Sequence, residues 1–281
     1  MIWNLVCDSS CDLRSEPASG SSPALTVVPM RLSVGEKDWE DNETLRVSEL
    51  LDGIRSGKGG SSTACPAPGA FAAAFEAADC SLCFTISGAL SGTYASAVTA
   101  RDMVLEEHPE KKICVIDSKS TAGVLVLLLR RARELIEKNE AEDFEGLCNQ
   151  LRLYQASLRT VFTLECYDNL IRNGRMNPLV GSLLHSLGIH VVADGTPQGT
   201  IHVARKARGE ARTYQAIVEL MRESKDCAGA QVVLSHCENL SGALRLKERI
   251  LAELPVKDVT ILSCRGLTTY YAMEKGLILG F

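Results

Sequence analysis

The stretch Ile86-Ser87-Gly88-Ala89-Leu90-Ser91-Gly92-Thr93-Tyr94-Ala95-Ser96-Ala97 sets the class of this fold. It closes a β-type apolar run over 82–86, breaks at Ser87-Gly88, and opens a helical pattern through Ala97, Ala100 and Met103. Ser91-Gly92-Thr93 therefore falls at a helix N-terminus, where unpaired N–H groups and the positive dipole end favour an anion. Gly92 lets a ligand approach the backbone, and the two hydroxyls add donors. No strong base or nucleophile stands in the stretch. It reads as a neutral cradle for a carboxylate or a phosphate.

The same alternation of strand and helix extends outward on both sides. Strands are predicted over 3–7, 25–34, 82–86 and 113–117, and helices over 48–55, 70–78, 93–107 and 122–138. That order predicts a three-layer α/β/α domain with a mostly parallel sheet. Ligands of such sheets bind beyond the carboxyl ends of the strands. Three polar turns lie there: Asp8-Ser9-Ser10, the 87–91 turn, and Asp117-Ser118-Lys119-Ser120. One cleft is expected to collect all three. Beyond an amphipathic stretch over 144–158 the pattern changes. Strands over 160–164 and 188–194 precede one over 200–204, paired back across Asp194-Gly195-Thr196-Pro197. A helix over 210–225, a strand over 232–236, a helix over 241–251 and a strand over 259–263 follow. We therefore expect two domains, 1–157 and 158–281, the second an α/β layer with a mixed sheet. The short patch Gly57-Lys58-Gly59-Gly60-Ser61-Ser62 reads as flexible, and there is no internal repeat.

The bulk properties narrow the function classes. A chain of 281 residues can build one large core or two ordinary ones. Thirty Lys and Arg against 35 Asp and Glu give a net charge of −5, which is no electrostatic footprint for nucleic acid. The longest strongly apolar run, over 122–129, is too short for a transmembrane segment. Met1-Ile2-Trp3-Asn4-Leu5 reads straight into a strand, so a cytoplasmic location is expected. Eleven cysteines, odd in number and scattered, argue for reduced and mostly buried thiols. Cys80 and Cys83 form a lone C-x-x-C inside a strand, which suits neither zinc nor redox work.

Two further loops carry candidate binding groups. Thr63 precedes Cys65-Pro66-Ala67-Pro68, whose prolines set an extended approach and a helix start, on a loop placed to close over the cleft. In Asn173-Gly174-Arg175-Met176-Asn177-Pro178, Gly174 supplies a turn, Pro178 starts a helix, and the Arg175 guanidinium can grip an anion bidentately. The run Arg205-Lys206-Ala207-Arg208 follows the hairpin as a charged surface. There is no G-x-G-x-x-G, no P-loop, no metal-binding His pair and no G-x-S-x-G. The five histidines, His108, His185, His190, His202 and His236, read as structural, so no general base is assigned.

Six ordered motifs resemble the DegV family across nearly the whole chain. Asp8-Ser9-Ser10-Cys11-Asp12-Leu13 is similar to its opening D-S-[SA]-x-D-L, and Pro29-Met30-Arg31-Leu32 to its second strand. The 63–68 loop resembles T-S-x-P-x-P, Leu90-Ser91-Gly92-Thr93-Tyr94-Ala95-Ser96-Ala97 matches L-S-G-T-Y-x-S-A, and Val115-Ile116-Asp117-Ser118 matches V-I-D-S. The 170–175 segment with Gly181-Ser182-Leu183-Leu184 resembles L-x-x-G-G-R-I…G-x-L-L. The resemblance implies a DegV-like pair of α/β domains binding one long-chain fatty acid in a buried apolar tunnel. The carboxylate would be held by Thr63 and Ser91, with Gly92 and Thr93 shaping the helix start. The first domain would bring the carboxylate loops, the second part of the tunnel wall. It implies no cofactor and no metal, and catalysis, if any, by a partner fatty acid kinase forming an acyl-phosphate. Arg175 and Arg205 would then face the phosphoryl group or the kinase, and transient contact with a membrane surface fits such a carrier.

The chain departs from the family twice. Where the family often carries G-T-H-T-G-P-G, it has Cys264-Arg265-Gly266-Leu267-Thr268-Thr269-Tyr270-Tyr271, so the histidine near the carboxylate is replaced; Thr269, Tyr270 and Arg265 are the candidates for its place. Asn173 stands where the family usually has glycine. Two alternatives differ in class: a Ser91- or Thr63-dependent acyl hydrolase or transferase, and a ligand-sensing regulatory module acting through Arg175 and Arg205.

Overall fold

The computed structural model describes residues 2–57, 59–140, 143–177 and 189–281. The expected helix start at Pro178, the 181–184 block and His185 lie outside them. The first half runs β1 (Trp3–Asp8), β2 (Ala24–Val28), β3 (Arg31–Val34), β4 (Lys37–Glu40), α1 (Val47–Arg55), β5 (Ser61–Ala64) and α2 (Pro68–Glu76). It continues with β6 (Cys80–Thr85), α3 (Thr93–Glu107), β7 (Lys112–Asp117), α4 (Gly123–Lys138) and α5 (Phe144–Ser157). The second half runs β8 (Thr160–Leu164), α6 (Asp168–Arg172), β9 (Ile189–Gly195), β10 (Ile201–Arg208), α7 (Glu210–Ser224) and β11 (Gln231–His236). It ends with α8 (Leu240–Glu253), β12 (Asp258–Ser263), α9 (Gly266–Ala272) and β13 (Leu277–Gly280).

A four-stranded sheet in the order β2-β1-β6-β7 is parallel at every pairing. Side chains alternate across a strand, so each strand must supply two apolar faces when both sides are covered. Val6, Cys83 and Val115 pack with α2 and α3 on one side. Leu5, Cys7, Leu82, Phe84, Cys114 and Ile116 pack with α4 and α5 on the other. The apolar run that opens α4 is buried on all sides because it is wedged between this sheet and β11 and β13.

The second sheet is mixed, in the order β10-β9-β8-β13-β11-β12, with only β11 and β12 parallel. Helices α7 and α8 cover one face. The other face, with Phe162, Leu164 and Ile278, packs towards α6, Tyr167, Met176 and Ala272. Every strand of the parallel sheet precedes residue 157 and every strand of the mixed sheet follows it.

The structure corrects four sequence readings. The extended run over 25–34 is two strands in two sheets: Pro29 has no N–H to continue the ladder, and the chain turns there. Strand β3 instead pairs antiparallel with β4 and β5 in a small third sheet. Thr63 is therefore no loop residue; it lies on β5 opposite Leu32. Arg205 to Arg208 belong to β10, which outlasts the expected 200–204 strand past a register shift between Val203 and Arg205. Finally, α9 and β13 follow β12, and β13 occupies a central place between β8 and β11.

Candidate functional site

The three polar turns at the carboxyl ends of β1, β6 and β7 are bonded to one another. The buried Asp8 carboxylate accepts from the N–H of Ile86 at 2.7 Å and of Ser10 at 3.0 Å. Burial raises its pKa, and these hydrogen bonds pull it back only in part. Ser87 N donates to Ser120 O at 2.8 Å, and Gly88 N to the Asp117 carboxylate at 3.1 Å. From the mixed sheet, the β9–β10 turn closes onto them: the Ser87 hydroxyl donates to Gly199 O at 2.7 Å.

Beside this junction lies a cavity between the parallel sheet's carboxyl ends and the inner face of the mixed sheet. Its wall is mostly apolar, with Met30, Ile86, Leu90, Phe162, Leu164 and Ile278 among the contributors. Lys119 and Arg175 are the charged residues of that wall among the described residues, and Lys119 is paired with Asp117 at 2.8 Å. No histidine or carboxylate lines it among the described residues.

Thr63 and Ser91 both reach this wall, and so does Arg175. Ser91 is positioned by its own turn: its N–H donates to Ser87 O at 3.1 Å, and its hydroxyl lies 2.8 Å from that of Thr93. Thr93 is fully buried, with its hydroxyl between Ser91 and the Met30 sulfur, and does not line the cavity. Gly92 also stays off the wall. It faces the Cys65 sulfur and lines an outer groove with Gly88, Asn173 and Arg175. Arg175 is held by Leu90 O, 3.0 Å from its Nε, and by Asn173 O.

The remaining expected residues sit elsewhere. Arg205 pairs with Glu219 at 3.1 Å and with Glu223, in a separate groove with Lys206, Arg208 and Arg212. Arg265 is the N-cap of α9; its N–H bonds Asp12 at 2.9 Å and its guanidinium bonds Leu13 O. Thr269 is fully buried beside Cys237. Tyr270 is fully buried, its hydroxyl donating to Ser61 at 2.8 Å and accepting from Asn173. None of these three reaches the cavity. The wall residues of α9 are Leu267, Thr268, Tyr271 and Ala272. Their spacing is one face of a helix, a signal visible in the sequence once that segment is read as helical.

All eleven cysteines are free, nine of them buried. Among the described residues no cluster of three or more His, Cys, Asp or Glu could hold a metal, and no helix is long and apolar enough to cross a membrane.

Comparisons with known proteins agree on one relationship. The family model described as "Uncharacterised protein, DegV family" matches residues 3–275. A DegV domain-containing protein of Streptococcus pneumoniae (strain ATCC BAA-255 / R6) is 33% identical over 281 residues, spanning 100% of this chain and 99% of that protein. Among solved structures, the Streptococcus pneumoniae fatty acid kinase (Fak) B3 protein loaded with linoleic acid superposes with a TM-score of 0.94. It is 33% identical, over 100% of this chain and 99% of that one. A DegV family protein from Eubacterium eligens loaded with heptadecanoic acid gives a TM-score of 0.92 at 32% identity, over 99% and 98% of the two chains. With the ordered motifs, the shared architecture and a match over nearly its full length, this chain belongs to the DegV family.

Proposed function

We propose that this protein binds one long-chain fatty acid and presents its carboxylate to a separate fatty acid kinase. The observation that carries this reading is the cavity itself, an apolar enclosure with Thr63, Ser91 and Arg175 on its wall. A carboxylate buried without partners is prohibitively costly, whereas hydroxyl donors beside a guanidinium satisfy it. Each methylene removed from water contributes about 0.8 kcal/mol, so ten would supply about 8 kcal/mol without any catalysis. The loaded states of the two relatives, with linoleic and heptadecanoic acid, support the same ligand class.

In this reading the 1–157 half brings the carboxylate residues Thr63 and Ser91, with Gly92 and Thr93 supporting Ser91 from behind. The 158–281 half brings Phe162, Leu164 and Ile278 to the acyl tunnel. Arg175 borders both the cavity and the outer groove, which suits a place beside the phosphoryl group during transfer by the kinase. Arg205 and its basic neighbours serve as a contact surface for the kinase, at a distance from the ligand. The free cysteines fit a reducing cytoplasm, and exchange of acid with a membrane surface would be transient.

Lipid extracted from the purified protein should contain about one equivalent of C14 to C18 acid by mass spectrometry. After delipidation, Thr63→Ala and Ser91→Ala should each bind oleate about tenfold more weakly, as expected for a lost hydrogen bond to a charged group. Unchanged oleate affinity in the double variant would sink the carboxylate assignment.

A further inference from the structure

The Tyr271 hydroxyl on α9 lies 2.8 Å from the Thr63 hydroxyl on β5. These residues come from opposite halves of the chain, and both line the cavity. Helical spacing separates Tyr271 from its neighbour: Tyr271 shares the cavity face with Leu267, Thr268 and Ala272, while Tyr270 turns into the core. The two rings meet edge to face, with centroids 4.9 Å apart at 86°. The Tyr271 ring thus has a packing contact besides the hydrogen bond that its hydroxyl makes to Thr63.

We infer that the Tyr271 hydroxyl is a further donor to the ligand carboxylate, reaching it from the second half of the chain, and that the carboxylate replaces the Thr63–Tyr271 contact. The inference rests on the fatty-acid reading above and adds a residue and a selectivity to it. A carboxylate can only accept hydrogen bonds, so Thr63 and Tyr271 both serve it once their mutual bond opens. Ser91 then adds a third hydroxyl, and Arg175 a charge. An ester offers one good acceptor and no charge to this set, leaving donors unpaired, so the slot selects the free acid over its esters.

The choice of a phenol also sets the pH response. Burial holds the Tyr271 hydroxyl above the ordinary tyrosine range, against the opposing pull of the Thr63 bond and the Arg175 charge. Tyr271 remains a neutral donor from pH 6 to 9. Thr63 and Ser91 carry no titratable group, and the other phenol and charged side chains near Tyr271 are those of Tyr270, Arg175 and Lys119. An imidazole in the same place would add a positive charge only at the acidic end.

The test compares oleate and methyl oleate binding to delipidated wild type, Tyr271→Phe and Tyr271→His. Tyr271→Phe keeps the ring and its contact with Tyr270 while removing the hydroxyl. Its oleate affinity should fall about tenfold or more, with methyl oleate affinity changed less than threefold. Wild-type affinity for oleate should be flat from pH 6 to 9, whereas Tyr271→His should recover affinity as the pH drops below about 6.5. Wild-type oleate binding with Tyr271→Phe within twofold of it would overturn this inference alone, and equal losses for oleate and methyl oleate would overturn it as a structural effect. A wild type that binds no oleate would overturn the fatty-acid reading and this inference with it.

Discussion

Asp12 follows the 3-10 turn Ser9–Cys11 in the left-handed region, at φ 58°, with its side chain buried against α9. Its carboxylate accepts from Arg265 N at 2.9 Å and from the Thr268 hydroxyl, so it tethers the helix that carries Tyr271. Burial pushes its pKa from 3.8 up to about 6, and those hydrogen bonds recover only part of the loss. The folded state thus holds the Asp12 proton more tightly than the unfolded chain does. Its stabilising contribution is full below about pH 4 and is lost as pH rises through about 6. Two pKa units correspond to about 3 kcal/mol. Asp8 and Asp41, both raised by burial, act in the same direction, while Glu134 and Glu210, lowered by their Lys and Arg partners, act in the opposite one. Asp12→Asn isolates the Asp12 part, because asparagine tolerates this backbone and keeps an acceptor for Arg265 N. In thermal melts the variant should outlast wild type at pH 8, and the gap should shrink by pH 5. A gap that does not change with pH would contradict this account. At this scale the sequence motifs singled out Thr63 and Ser91, and both reach the cavity wall, although Thr63 does so from a strand and not from a loop. It was least informative about Asp12, Arg265 and Tyr271, whose roles depend on partners more than two hundred residues away.

Elements meet most tightly where α4 starts. A Cβ on Gly123 would sit 2.5 Å from Val233 O and 2.8 Å from Gly280 N, so the helix touches β11 and β13 backbone to backbone. Neither strand can yield without breaking its ladder, and overpacking of this kind costs about 1–3 kcal/mol. Gly123→Ala should lower the melting temperature by several degrees, measured beside Gly69→Ala, where nothing lies within 4 Å and little change is expected. Equal melting temperatures for the two variants would refute the wedge. Most helices and inner strands were legible because their apolar spacing is local: the predicted 93–107 helix and 160–164 strand match α3 and β8 to the residue. The exceptions have physical causes. Pro29 divides an apparently continuous run between two sheets, and β13 is a four-residue strand whose pairing comes from β8 and β11. Helix α9 is short and is organised at its N-terminus by Asp12 and Asp41 from the other half of the chain.

At the scale of the whole molecule, the cavity is built by both halves of the chain, and the junction is closed by Ser87 against Gly199 and by Thr63 against Tyr271. A ligand that fills it binds the folded chain and has no site on the unfolded one, so it stabilises by mass action. Delipidated protein should melt at a lower temperature than protein as purified, and oleate at a hundred times its Kd should restore about 2.7 kcal/mol. Calorimetry across an oleate series would show this, and a melting temperature insensitive to oleate would argue against a buried ligand. By itself the amino-acid sequence determined what local chemistry can encode: the alternating elements, the parallel sheet buried on both faces, the hydroxyl-rich helix start and the family motifs. Only the tertiary structure decided which of those groups share one cavity. It placed Thr63 on a strand, drew Arg205 away to its own groove, and set Tyr271 on the cavity face with Tyr270 turned inward. Periodicity reports which way a side chain points from its own element, but only long-range packing brings two elements together around a common space.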